Sequence, residues 1–170
     1  MKAEQERDFV AYVTGRMPVL RRVATQLAGD AHRGDDLVQQ AITKLYTHWR
    51  RASRAENLDA YVYRILVRVF LDERRHSWAQ VRLADSPADR PAPRAPDDVE
   101  NRLLLRAALA QLPPRQRAAV VLRFLADRSV EEASQILGVT PGTVKSQTSD
   151  GLARLRRLLA ASTDRPGVLS

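Results

Sequence analysis

The 170-residue chain predicts an all-α protein made of two small helical domains joined by a flexible proline-rich linker. Three observations carry that prediction. Apolar residues recur at three- and four-residue spacing through most of the chain, and strand-like alternation is absent. Pro87, Pro91, Pro93 and Pro96 crowd one stretch, and proline at that density stops helices and favours extended, solvated chain. The formal charge of +8 is also unevenly placed: residues 1–76 carry a net +4, residues 77–98 a net −1 and residues 99–170 a net +5. A structureless loop of about 20 residues inside one compact domain would be unusual. The sequence therefore divides into a first domain at 1–76, a linker at 77–98, a second domain at 99–160 and a tail at 161–170 expected to fray.

In chain order, Phe9 to Leu27 carries an apolar stripe (Phe9, Tyr12, Val13, Leu20, Val23, Ala24, Leu27), with a break expected near Gly15 to Pro18. Asp35 to Trp49 is the clearest amphipath, with Leu37, Val38, Ala41, Ile42, Leu45, Tyr46 and Trp49 on its core face. Asp35, Asp36, Gln39, Gln40, Thr43 and Lys44 take the other face. Asp35 and Asp36 also open this helix, where its dipole favours negative charge. A polar loop, Arg51 to Asn57, leads to a long helix over Leu58 to His76. Beyond the linker, Val99 to Leu112 is rich in Leu and Ala, Pro113-Pro114 stops it, and Arg115 to Ala126 offers Val120, Val121, Phe124 and Leu125 for packing.

The stretch Ser129 to Gln147 then reads as two helices around a tight turn. Ser129 and Glu132 have capping-box spacing. Ala133, Ile136 and Leu137 supply a buried stripe, Gly138 suits a left-handed helix end, and Val139 plugs the turn. Thr140 is a good N-cap, and Pro141 fits the first helical position. Val144, Leu152 and Leu155 continue the core stripe, and the helix runs on to Leu159. Thr143, Lys145, Ser146, Gln147 and Ser149 are left outward. This is the helix-turn-helix pattern, and those residue types donate to phosphates and base edges.

Composition narrows the function. A pI near 10.7 favours a polyanionic partner. Without cysteine there is no disulfide and no thiolate metal site, and His32, His48 and His76 are too scattered to form a ligand set. No nucleophile–base or paired-carboxylate constellation stands out, so neither an enzyme nor a cofactor or metal site is expected. The most apolar run, Ile65-Leu-Val, is broken by Arg68, far short of the ~20 residues of a membrane span. No membrane insertion is expected, and a cytoplasmic location is.

With these motifs in order, the chain resembles the extracytoplasmic-function group of bacterial RNA polymerase sigma factors. Asp35-Asp-Leu-Val-Gln-Gln-Ala-Ile-Thr-Lys-Leu-Tyr46 resembles the family's region-two helix, and Ala60 to Arg75 the promoter-melting helix that follows it. Leu112-Pro-Pro-Arg-Gln-Arg-Ala-Ala-Val-Val-Leu-Arg-Phe-Leu125 and the helix-turn-helix resemble region four. The resemblance implies a promoter-specificity subunit whose partners are core RNA polymerase and promoter DNA, with an anti-sigma factor as a third partner on which the residues are silent. It implies polymerase contact through Asp35, Asp36, Gln39, Gln40 and Lys44. Tyr61, Arg64, Arg68 and Arg75 share a helix face and match the region that captures unstacked bases near minus ten, with the Arg51–Asn57 loop as pocket wall. Gly142, Thr143, Lys145, Ser146, Gln147 and Ser149 match the helix that reads the element near minus thirty-five; Ser146, Gln147 and Ser149 are assigned to base edges, Gly142, Thr143 and Lys145 to phosphates. Arg123, Arg154 and Arg157 are added as backbone contacts.

The chain departs from the family at several positions. Arg68 stands where an Asn is common in the melting helix. Asp150 and Gln147 stand where arginines are frequent in the reading helix, which implies a promoter unlike the common type. Ser134 replaces a small Ala. Two rivals remain: a stand-alone helix-turn-helix regulator, and a helical adaptor that binds only protein. The pattern leaves open whether the two domains pack together.

Overall fold

A computed structural model describes residues 2–81 and 97–164, and all their regular structure is helical. The first block contains α1 (Ala3–Ala28), α2 (Ala31–Thr47), a single turn α3 (Trp49–Ala52) and α4 (Leu58–Val81). The second contains α5 (Asp97–Ala110), α6 (Pro114–Val120), a π-helical turn (Val121–Leu125), α7 (Val130–Leu137) and α8 (Pro141–Thr163). Most of the 77–98 linker and the end of the tail lie outside the described residues. Within them, α4 runs on to Val81, α5 starts at Asp97 and α8 reaches Thr163.

Three expectations about the first block are corrected. No break occurs at Gly15 to Pro18, since α1 runs through Pro18. Proline removes one helical hydrogen bond, but Thr14, Gly15 and Pro18 are all exposed, so water can serve the freed carbonyl. The second correction concerns where α2 begins. Asp30 is its N-cap and accepts from the Arg33 amide at 2.7 Å, so Asp35 and Asp36 lie past the first turn and lose their helix-dipole rationale. Gly29 (φ 92°) ends α1 and sets up that reversal. Thirdly, Tyr46 is 44% exposed, although its ring meets Phe9 edge-on at 5.2 Å.

The core of the first block is α1 against α2 and α4. Val23, Ala24, Leu27, Leu37, Leu45 and Leu66 are fully buried. Trp49 closes one end, edge-on to Phe9 at 5.3 Å and tilted against Tyr12 at 5.9 Å. Asn57 caps α4 by accepting from the Ala60 amide at 3.0 Å. Asp59 ties α4 back to α1, accepting from the Tyr12 hydroxyl at 2.7 Å and pairing with Arg16.

Burial, reinforced by the bond to Asp59, holds the Tyr12 phenol well above its ordinary range, and burial raises Tyr63 too. A raised folded-state pKa means that the contribution to stability is whole below about pH 10 and lost as the pH climbs through the folded-state value. Native protein at about pH 11 should therefore show less phenolate absorbance than protein unfolded in urea at the same pH. Tyr12→Phe should shrink that difference. An unchanged difference would mean that Tyr12 titrates freely.

The helix-turn-helix forms as its caps prescribe. The Ser129 side chain accepts from the Glu132 amide at 3.0 Å, and Glu132 accepts from the Ser129 amide at 2.9 Å. Gly138 sits at φ 67°, and Thr140 caps α8 with Pro141 at its first position. Ser134 does more than fit: its hydroxyl donates to the Val139 carbonyl and stitches the turn. Ser129→Ala is expected to cost ~1 kcal/mol of unfolding free energy, measured by urea denaturation.

The second block corrects the expectation for Arg115 to Ala126. Its helix changes to a π turn at Val121, closed by the Ala126 amide donating to the Val121 carbonyl at 2.9 Å. The wider turn rotates the register, and Phe124 emerges 58% exposed instead of packing. Leu137, expected inside, is only partly buried.

The two blocks pack on each other, and one hydrophobic core runs through both. α5 and the π turn lie against α1, while α6 and α7 lie against α4.

Candidate nucleic-acid and polymerase interface

Three exposed surfaces carry the residues singled out from the sequence. The first is the outer face of α2, where Asp35, Asp36, Gln39, Gln40 and Lys44 are all exposed. They form two rows at four-residue spacing. Asp36, Gln40 and Lys44 line an open groove of about 420 Å³ together with Arg33, Asp72, Glu73 and Arg74. Gln40 donates to Glu73 at 2.6 Å, which fixes this row against α4. Asp35 belongs to the other row and pairs with Arg21 at 3.3 Å. Both partners of that pair are more than half exposed, so it adds little stability. The face is mixed in charge and rigidly mounted on a helix.

The second surface lies where α3 meets the start of α4. Tyr61 and Arg64 line an open groove with His48, Arg50, Arg51, Arg54 and Ala55. Among the described residues, none of the arginines at 50, 51, 54 and 64 is in a salt bridge. Four unneutralised guanidiniums around a half-buried phenol suit an unstacked strand, with charge on the phosphates and a ring for a base. Arg68 and Arg75 are exposed farther along α4 and do not line that groove. Arg50 was not singled out from the sequence, and Arg54 was covered only as part of the Arg51–Asn57 pocket wall. Their signal was present in Arg50-Arg51 and Arg54 crowding one short connection; Arg50 sits on the single turn of α3 and Arg54 in the turn that follows it.

The third surface is the first half of α8. At 100° per residue its outward side chains cover an arc too wide for one ridge. Lys145 and Ser149 stand at one edge, sharing an open groove of about 310 Å³ with Arg123, Thr148 and Arg156. Gln147, Thr143 and Arg154 stand at the opposite edge, with Gly142, Ser146 and Asp150 between. The Thr143 side chain is occupied, 2.9 Å from the Thr140 hydroxyl in the cap. Ser146 donates back to the Thr143 carbonyl at 3.1 Å. Arg156 was missed in the sequence; its place four residues beyond Leu152 on the Lys145 edge was the available signal. Arg123 donates to the Arg128 carbonyl, which holds it beside that edge.

Among the described residues no three metal-binding side chains gather, and no helix is long and apolar enough to cross a membrane. Fold and surfaces together define a helical DNA-binding protein that also presents an exposed polar face on α2.

Comparison with known proteins makes that class particular. The family model Sigma-70 region 2 matches residues 8–80, and Sigma-70, region 4 matches residues 102–155. RNA polymerase sigma-E factor of Streptomyces coelicolor is 34% identical over 158 residues, covering 91% of this chain and 87% of that protein. ECF RNA polymerase sigma factor EcfG of Rhodopseudomonas palustris is 31% identical over 149 residues, covering 86% and 82%. The sigma factor RpoE from Bartonella quintana, solved in complex with the anti-sigma factor NepR, superposes with a TM-score of 0.74 at 29% identity, covering 94% of this chain and 99% of that one. CnrH, solved with the cytosolic domain of CnrY, shares the fold at a TM-score of 0.67 and 20% identity. The chain belongs to the extracytoplasmic-function sigma factors of bacterial RNA polymerase. It is a specificity subunit that directs core polymerase to promoters for transcription initiation. The stand-alone regulator is not favoured, because it uses α7 and α8 and leaves the match over residues 8–80 without a role.

Proposed function

We propose how the three surfaces divide the work of initiation. The α2 face, with Asp35, Asp36, Gln39, Gln40 and Lys44, docks on core polymerase. Its carboxylates and amides pair with cationic side chains of a polymerase helix. Tyr61 and Arg64, joined by Arg50, Arg51 and Arg54, hold the melted strand near minus ten, and Arg68 and Arg75 follow its phosphates along α4. The start of α8 enters the major groove near minus thirty-five. There Gly142, Thr143, Lys145 and Arg154 serve the backbone, and Ser146, Gln147 and Ser149 serve base edges. The residue blocks 1–76 and 99–160 are the units that carry these roles. An anti-sigma factor is a further partner, as for the Bartonella relative. The protein works in the cytoplasm and catalyses nothing itself; the reaction is the polymerase's.

The observation that carries this reading is the unneutralised arginine cluster around Tyr61, in the block that also presents the α2 face. Transcription of fragmented genomic DNA by core polymerase plus this protein, with sequencing of RNA 5′ ends, tests it. New starts that share two upstream motifs, and that disappear with Tyr61→Ala/Arg64→Ala, are expected. Starts unaffected by that double substitution would overturn the minus-ten assignment.

A further inference from the structure

The groove that holds Tyr61 has walls from two elements. Arg50 and Arg51 stand on α3 and Arg54 in the turn after it, while Tyr61 and Arg64 stand on α4. Among the described residues none of these arginines is in a salt bridge. Like charges that share a groove repel one another. α3 is a single turn of four residues, too short to hold its place by its own hydrogen bonds. A contact outside the groove therefore has to keep the two walls in register until a polyanion neutralises them.

One side chain of α1 touches both walls. The Tyr12 ring lies tilted against Trp49, with centres 5.9 Å apart. Trp49 opens α3, is 4% exposed and directly precedes Arg50. The far end of Tyr12, its hydroxyl, donates to Asp59 Oδ1 at 2.7 Å. Asp59 stands in the first turn of α4, two residues before Tyr61. Its other oxygen pairs with Arg16, again from α1. Asn57 caps the same turn by accepting from the Ala60 amide at 3.0 Å. The start of α4 is thus fixed locally by Asn57 and against α1 by Tyr12 and Arg16. In the sequence Tyr12 reads only as one more member of the α1 core stripe.

The chemistry of the Tyr12–Asp59 bond suits this task. An ionised acceptor makes it a charge-assisted bond, stronger than one between neutral groups. Burial, reinforced by Asp59, keeps the proton on the phenol at neutral pH, so the donor is always present. Engaged by α1, Asp59 does not line the groove, and its negative charge stays out of a surface suited to a polyanion.

We propose that Tyr12 and Asp59 are positioning residues for capture of the melted strand: through one half-buried side chain, α1 sets the arginines beside Trp49 and the Tyr61 face of α4 at a fixed spacing. This rests on the assignment of Tyr61 and Arg64 to the strand near minus ten. Neither Tyr12 nor Asp59 has to touch DNA.

Holoenzyme made from core polymerase and the full chain tests it. The probe is a promoter fragment mapped by RNA 5′-end sequencing, with its minus-ten segment left unpaired and carrying a fluorescent base analogue. Tyr12→Phe keeps the ring on Trp49 and removes only the hydroxyl. It should weaken strand capture about fivefold or more, with core affinity and helicity unchanged. Asp59→Ala should do the same, and the double variant should be no worse than Asp59→Ala alone, because both remove one bond. Asp59→Asn, whose side-chain oxygen still accepts from Tyr12, should recover most of the loss. In a Tyr61→Ala/Arg64→Ala background Tyr12→Phe should cost less than about twofold, because the groups it positions are gone. A general loosening of the fold would cost the same in either background.

Capture by Tyr12→Phe equal to the parent's, an undiminished cost in the Tyr61→Ala/Arg64→Ala background, or a loss of core affinity in step with capture would each overturn the positioning role and leave the minus-ten assignment standing. A parent indifferent to Tyr61→Ala/Arg64→Ala would overturn that assignment and the proposal with it. Should Asp59→Ala not fold, Tyr12→Phe decides alone.

Discussion

Replacing Gly34 with valine is expected to lower the unfolding free energy by ~3 kcal/mol or more, seen as a lower urea midpoint. The reason is the approach of α2 to α1. A Cβ on Gly34 would stand 2.8 Å from the Thr25 hydroxyl and 2.9 Å from both the Thr25 Cα and its amide nitrogen. Two of those three atoms are backbone, so no rotamer change relieves the clash and α1 must move away from α2. That movement would loosen Leu27, Leu37 and Leu45, all fully buried at this contact. Gly151→Ala is the informative contrast. There the nearest atom is a Val120 methyl at 2.8 Å, the end of a side chain that can shift, so a cost of ~1 kcal/mol is expected. A Gly34→Ala protein as stable as the parent would show that the two helices are not held this closely.

Lys145→Glu should weaken promoter binding by the polymerase holoenzyme at least about tenfold and flatten its salt dependence by about one counterion. Lys145 lies at the edge of α8 that it shares with Arg123 and Arg156. If Lys145 serves a phosphate as proposed, a carboxylate there would remove that contact and repel the backbone. Gln147→Ala, at the opposite edge, should behave differently. It should cost about 1–3 kcal/mol at one base pair, relax preference there and leave the salt slope unchanged. The two variants separate backbone contact from base reading on the same helix. An unchanged salt slope for Lys145→Glu would remove Lys145 from the phosphate-binding set.

Much of this molecule was legible before folding because its information is local. The capping box at Ser129 and Glu132, the left-handed Gly138 and the Thr140-Pro141 helix start each involve residues within one turn of each other, and each formed as read. The core stripe of α2 was legible for the same reason, since helical periodicity alone sorts Leu37, Val38, Ala41 and Leu45 from Asp36 and Gln40. Errors arose where a local rule met a competitor. The Pro18 break failed because solvent can serve the freed carbonyl. The α2 start moved because Asp30 was the better cap. Phe124 turned outward because a π turn shifts register by a residue, which no apolar spacing announces.

The sequence by itself determined the helices, their caps, the basic character of both blocks and the family to which the chain belongs. These depend on short-range chemistry and on motifs read in order. Only the tertiary structure decided that Arg50 joins Tyr61, and that Arg117 spans the ends of α1 and α5, 90 positions along the chain from Leu27. Such contacts depend on which surfaces meet when the blocks close. Arg117 looks in sequence like any other cation on a polar helix, and only burial against carbonyls and Phe70 reveals what it holds.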